Sequence, residues 1–127
     1  EMKYEAIPSA VFISPEIGTV GISEKEASEK NLNIKIGKFP FAANGKALTL
    51  GSPEGFVKVI ADSESDVILG AAVVGPNATD MIATFTFLIE NQVTFDKLSH
   101  TVFAHPTTAE SIHEALLSLK DGAIHFA

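Results

Sequence analysis

Two neighbouring stretches constrain the fold more than any other part of the chain. The first, "GFVKVIAD" at residues 55–62, is dense in β-branched and aromatic residues and predicts a strand. The second, "VILGAAVVG" at 67–75, is an almost unbroken apolar run too short for a typical helix, and it suits a central strand covered on both faces. Only the polar residues 63–66 separate them. A loop of about four residues joins such strands as an antiparallel hairpin, because a parallel pair needs a long crossover.

Other elements can be placed around that hairpin. "AVFISPEIGTVGI" predicts an extended strand bent in the middle by Pro15 and Gly18. Ser23 with Glu26 three residues on is an S-x-x-E capping box, so a short polar helix is expected over 24–30. "LNIKIGKFPF" sets Ile34, Ile36 and Phe39 against lysines and predicts a second strand with one wet face. "AANGKALTLGSPEG" carries loop and turn signals. After Gly75 and Pro76, Asn77 is placed to cap a helix with Asp80 in its first turn. Met81, Ile82, Phe85, Leu88 and Ile89 make one apolar stripe on that helix, and Phe87 lies off the stripe. "TFDKLSHTVFA" reads as a short helix and a connector. A last helix is expected over 108–119, with Ala109, Ile112, Leu116 and Leu119 on one side.

Strands come first and helices gather at the C-terminal end, with too few β–α alternations for a parallel sheet. The fold class is α+β, an antiparallel β-sheet with helices packed on it, and residues 1–127 form a single domain. No repeat, linker or low-complexity tract interrupts it. A hydrophobic content of 46% fits a packed domain, no apolar run approaches a bilayer span, and the first residues lack a signal-peptide pattern. The chain has no cysteine, which removes disulfides and thiol nucleophiles and is compatible with a reducing, cytoplasmic setting. Net charge is −7 and all nine basic residues are lysine, so nucleic acid is not an expected partner. No membrane partner is expected either.

The stretch "AHPTTAE", residues 104–110, admits two readings. Thr107 and Glu110 fit a T-x-x-E capping box, which would leave His105 incidental. Alternatively, His105 can exchange protons near neutral pH, and a carboxylate one helical turn on can fix its tautomer and stabilise the imidazolium. A carboxylate has acceptor sites for both tasks. Elsewhere the chemical signals are weak. "GSPEG" and "GPNATD" lack the G-x-G-x-x-G spacing of a dinucleotide-binding turn. His100, His113 and His125 show no metal-ligand spacing, so no metal site is expected; His113 suggests a surface pair with Glu110.

"HPTTAE" resembles the H-P-T-x-x-E motif that closes the flavoprotein pyridine nucleotide-disulfide oxidoreductases. "AVFISPEIGTVGISEKEA", "ANGKAL", "EGFVKVIAD" and "ILGAAVVGPNATDMI" are similar, in the same order, to successive segments of that family's C-terminal interface domain. The likeness covers nearly the whole chain. "ANGKA" and the Gly75–Ala78 stretch resemble the dihydrolipoamide dehydrogenase branch more than the glutathione-type reductases. One departure is Phe103, where many members carry a second histidine.

The resemblance implies a role for each motif residue. His105 would deprotonate the dithiol substrate and reprotonate the outgoing thiolate, and Glu110 would orient it and keep it basic. The His105–Pro106 peptide, typically cis in the family, would bring its carbonyl near the flavin of the other subunit of a homodimer. His105 and Pro106 are therefore the expected cofactor contacts. FAD and NAD would belong to the full-length enzyme, with none bound by this domain alone, which is expected to be inactive. The expected partners are a second subunit and, through the parent enzyme, the lipoyl domains of a 2-oxo acid dehydrogenase complex. Lacking a cysteine pair and a dinucleotide fingerprint, the chain is expected to be a C-terminal fragment of a longer enzyme. Two alternatives stay open: a non-catalytic dimerisation module, or the same domain of a glutathione-type reductase.

Overall fold

A computed structural model describes residues 1–120; His125 lies outside the described residues. Five strands form one fully antiparallel sheet: β1 (Ser9–Val11), β2 (Ile17–Gly21), β3 (Ile34–Pro40), β4 (Phe56–Asp62) and β5 (Ile68–Val74), in the order β1-β2-β5-β4-β3. The apolar strand β5 does lie in the middle, hairpinned to β4. The turn between them is built by Asp62, whose carboxylate accepts from the Ser65 amide at 2.7 Å, the Ser65 hydroxyl at 2.8 Å and the Glu64 amide at 3.1 Å. These bonds favour the ionised form and hold the Asp62 carboxyl below its ordinary range.

The helices are α1 (Glu24–Glu29), α2 (Gly45–Thr49), α3 (Ala78–Glu90), α4 (Phe95–Leu98) and α5 (Glu110–Leu117). Helix α3 lies across β2 and β5, and α5 across β3 and β4, both on the same face. That face is written in the register. Phe39, Val57, Val73 and Gly18 align in one row, and Gly37, Val59, Ala71 and Val20 in the next. Each row holds one glycine where a helix crosses. A Cβ at Gly18 would sit 2.7 Å from the Ala78 carbonyl oxygen of α3, and one at Gly37 only 2.1 Å from that of Ala115 in α5. The helix backbones therefore rest directly on the strands. Phe39, Phe41, Phe85 and Ile112 fill the space between, fully buried.

The opposite face is wetter than the apolar run suggested, which corrects the expectation of two covered faces. Its middle row is Thr19, Ala72, Lys58 and Lys38. Lys58 pairs with Glu24 of α1 at 2.8 Å, and Lys38 sits 4.2 Å from the centre of the Phe56 ring. Cover there is partial: the backbone of Ile22 abuts Gly70. Strand β3 is corrected in the same way. Phe39 and Gly37 face the helices, whereas Ile36 shares the exposed parity of Lys38, because side chains alternate strictly along a strand.

Three local expectations also change. The segment predicted as one bent strand is a hairpin, β1 pairing with β2 with Ser9 opposite Thr19; Pro15, which has no amide hydrogen to give a ladder, lies in the reversal, with Ser14–Pro15 in cis. The region around Asn44 is a 3-10 turn followed by α2 rather than a plain loop, since Asn44 caps α2 by accepting from the Ala47 amide at 2.8 Å. Asn77 does not cap α3. Its backbone is left-handed (φ 61°), and its side chain makes no cap bond. Glu16 takes over, accepting from the Thr79 amide at 3.2 Å and from the Thr79 hydroxyl.

The capping box of α1 forms as expected, with Glu26 N–H donating to the Ser23 hydroxyl at 3.1 Å and Ser23 N–H to the Glu26 carboxylate at 2.8 Å. Met81, Ile82, Phe85 and Leu88 are buried and Ile89 half-buried, while Phe87 is 65% exposed.

Candidate functional site

The motif stretch crosses one end of the sheet, between the start of α2 and the start of α3. The chain enters it through a cis His105–Pro106 peptide and leaves it as α5. His105 Nδ1 lies 3.0 Å from both carboxylate oxygens of Glu110. The His105 side chain is 80% exposed, whereas that of Glu110 is 27% exposed. An ionised carboxylate can only accept, so the pairing selects the tautomer with the proton on Nδ1. Nε2 is then the nitrogen left to exchange a proton with a reacting group.

The two readings of residues 104–110 merge here. Glu110 accepts from the Thr107 amide at 2.9 Å, which is half of a capping box. The reciprocal half is absent, and the Thr107 hydroxyl donates to the Ala104 carbonyl at 2.7 Å. That bond closes the turn around the cis peptide instead. One carboxylate thus holds the turn and the imidazole together.

Side chains from distant segments fasten the turn from behind. Asn44, 5% exposed, donates from Nδ2 to the Thr107 carbonyl at 3.0 Å and to the Ser111 hydroxyl at 2.9 Å. Asn77 donates to the Thr108 hydroxyl at 3.3 Å. No local signal marked these contacts: Asn44 lies 63 and 67 residues from its partners. Only the "ANGKA" likeness singled that segment out. His113 is a correction. It does not pair with Glu110; its ring stacks on Phe103, with centroids 5.4 Å apart, and its Nε2 lies 3.4 Å from the Ser99 carbonyl.

A cleft of about 240 Å³ opens beside the pair, lined by His105, Pro106, Glu110, Glu114, Asn44 and Lys46. A larger one, about 440 Å³, lies between residues 3–7, α1 and the end of α3. Two of its charged side chains have structural roles, Glu26 in the α1 capping box and Lys3 on the Glu90 carbonyl. Chemistry favours the smaller cleft. Among the described residues, no group of three or more histidine and carboxylate side chains could hold a metal ion, and no helix is long and apolar enough to cross a membrane.

The profile described as "Pyridine nucleotide-disulphide oxidoreductase, dimerisation domain" matches residues 7–116. Among similar curated proteins, the dihydrolipoyl dehydrogenase of Haloferax volcanii is 46% identical over 121 residues, covering 95% of this chain and 26% of that protein. The one from Bacillus subtilis is 44% identical over 120 residues, covering 94% and 25%. Among solved structures, LpdA from Mycobacterium tuberculosis superposes with a TM-score of 0.86 at 26% identity, covering 91% of this chain and 25% of that one. The HOCl-induced flavoprotein disulfide reductase RclA of Escherichia coli gives 0.85 at 26% identity, covering 90% and 26%. The chain therefore spans about a quarter of the length of the proteins it matches. With a family profile spanning β1 to α5 and folds of the same kind in two solved relatives, this chain belongs to the pyridine nucleotide-disulphide oxidoreductase dimerisation-domain family.

Proposed function

We propose that this chain is the dimerisation domain of a dihydrolipoamide dehydrogenase, and that it lends His105 and Glu110 to a site completed by a second subunit. The observation that carries this is the geometry of the pair: an exposed imidazole whose Nδ1 is 3.0 Å from both oxygens of a carboxylate. A base in that setting has no thiol or disulfide of its own to act on, since the chain has no cysteine. Its reacting partner must come from elsewhere.

In the parent enzyme, Nε2 of His105 takes the proton from one thiol of protein-bound dihydrolipoamide as that sulfur becomes nucleophilic. It later returns a proton to the departing thiolate. Glu110 keeps the ring in one tautomer throughout and offsets the imidazolium charge. The antiparallel sheet has no parallel βαβ unit, so the described residues cannot cradle a dinucleotide in the Rossmann manner. They fit a cofactor at one edge only, through the exposed His105–Pro106 turn. FAD and NAD, when bound by the whole enzyme, supply the path that carries two electrons from the dithiol. Lipoyl domains of a 2-oxo acid dehydrogenase complex are the proposed source of substrate.

His105→Gln in the full-length enzyme is expected to lower turnover about 10²- to 10⁴-fold with FAD content intact. Unchanged turnover sinks the assignment. Dihydrolipoamide against glutathione disulfide as substrate separates this reading from a glutathione-type reductase. The exposed Phe87 favours a protein contact on α3, and it supports the dimer in either case. Sedimentation of Phe87→Asp against the parent protein tests whether that contact is the subunit interface.

A further inference from the structure

We infer that Asn44 is a positioning residue for the His105–Glu110 pair, acting through the backbone of the motif turn and the first turn of α5. The inference rests on the proposed role of that pair. Its basis is one buried amide whose every polar atom is assigned. Oδ1 accepts from the Ala47 amide at 2.8 Å, and Nδ2 donates to the Thr107 carbonyl at 3.0 Å and to the Ser111 hydroxyl at 2.9 Å. The orientation follows from the neighbours, because an amide N–H cannot accept and a carbonyl cannot donate.

The two ends of the amide do different work. The oxygen caps α2, a task any short polar side chain performs. The nitrogen reaches across the chain and grips the pair from both sides. Thr107 is two residues after His105, and its amide is bonded to Glu110 at 2.9 Å. Ser111 directly follows Glu110 in α5 and is fully buried. Holding both fixes where the helix begins relative to the cis peptide, and that offset sets the imidazole–carboxylate distance. Glu110 cannot secure the offset alone, since its own side chain is the flexible link between the two segments.

This division separates a positioning role from a capping role in one substitution. Asn44→Asp keeps the oxygen that caps α2 but replaces the two N–H donors with an acceptor facing the Thr107 carbonyl. If Asn44 only caps, Asn44→Asp lowers stability, because a buried carboxylate then faces the Thr107 carbonyl, but the assembled enzyme keeps its turnover. If it positions the pair, turnover of the full-length enzyme falls about tenfold or more, because misplacement of a catalytic group by about 1 Å has consequences on that scale. The loss should also depend on Glu110. In a Glu110→Gln background, where the pair is already weakened, Asn44→Asp is expected to cost no more than about twofold.

The full-length enzyme is assayed as four proteins, wild type, each single variant and the double variant, with FAD content and dimer mass measured for each. If Asn44→Asp loses FAD or fails to assemble, Ser111→Ala carries the same cycle, since it removes one of the two grips and leaves the α2 cap untouched. A smaller loss, about threefold, that vanishes in the Glu110→Gln background supports the inference. Equal losses in both backgrounds, or none, overturn it. His105→Gln run alongside keeps the two ideas apart. If that variant is fully active, the catalytic reading itself has failed and the inference falls with it. If it is inactive while the Asn44 and Glu110 effects simply multiply, only the positioning role is wrong.

Discussion

The helix-covered face of the sheet and the His105 turn are built on opposite plans. On the first, Gly18 and Gly37 let two helix backbones touch the strands, and Phe39, Phe41 and Phe85 are sealed between them. Almost every atom has a packed neighbour, so the geometry is over-determined by apolar contact. At the turn, the His105 ring is exposed and its setting depends on a handful of hydrogen bonds: Thr107 to Glu110, Thr107 to Ala104, Asn44 to Thr107 and Ser111. The core needs no partner. The turn presents the His105 imidazole outward, with its Nδ1 held against Glu110.

The comparison can be broken most severely from the core side. Phe85→Ala should cost about 3–5 kcal/mol of stability, since it leaves a cavity that α3, already in backbone contact with the sheet at Gly18, cannot close by moving nearer. Urea unfolding of the purified protein measures it. A loss below about 1 kcal/mol would mean that the space between α3 and the sheet is not sealed by Phe85.

A milder test concerns the cluster that ties Lys120, just beyond α5, to the rest. Its ammonium bridges Asp66 at 3.0 Å and Asp96 at 3.2 Å, while Lys35 holds the other Asp66 oxygen at 2.9 Å. The Lys35 and Lys120 hydrogen bonds hold the Asp66 carboxyl below the ordinary aspartate range, and the two aspartates raise Lys120. A depressed carboxyl contributes stability that is complete above its unfolded pKa and is lost as pH falls through the folded value. The raised lysine contributes fully below its unfolded pKa and loses its contribution as pH climbs through the folded one. Stability should therefore decline from about pH 5 downward. Asp66→Asn should flatten part of that acid limb, leaving the share of Asp62 and Glu26, whose carboxyls are also lowered by hydrogen bonds from the backbone. An acid limb identical in the variant would exclude Asp66 from it.

The smallest effect is expected where the chemistry is richest. Glu110→Gln should change unfolding stability by under about 1 kcal/mol, because its ion pair with the exposed His105 is screened by water. Its effect on turnover of the parent enzyme should be far larger. A stability loss above about 2 kcal/mol would make Glu110 chiefly a helix cap.

Legibility in the sequence followed distance along the chain. The β4–β5 hairpin, the Ser23–Glu26 box, the α3 stripe and the His105–Glu110 pair all join residues within a few positions of one another, where spacing is a direct statement about space. The α3 cap is not legible in the sequence, because Asn77 adopts φ 61° and the carboxylate that replaces it, Glu16, lies on the approach to β2. The apolar character of Ile36 suggests core, but strand parity sets it beside Lys38 on the exposed face. Helical spacing sets His113 near Glu110, but its ring stacks on Phe103, which lies outside the helix.

By itself, the sequence determined that there is an antiparallel α+β domain, that His105 and Glu110 are within reach of each other, and that no thiol in the chain could serve them. Those conclusions rest on alternation, capping spacing and composition, which local sterics and hydrogen bonding enforce. Tertiary structure alone decided which side of the sheet the helices cover and what holds the motif turn. The glycine rows exist only once five strands are in register, and Asn44 meets Thr107 and Ser111 only because the sheet brings the start of α2 against the start of α5. A hydrogen bond that closes a loop of more than sixty residues leaves no periodic trace in the chain; it forms because the packed core has already brought its two ends together.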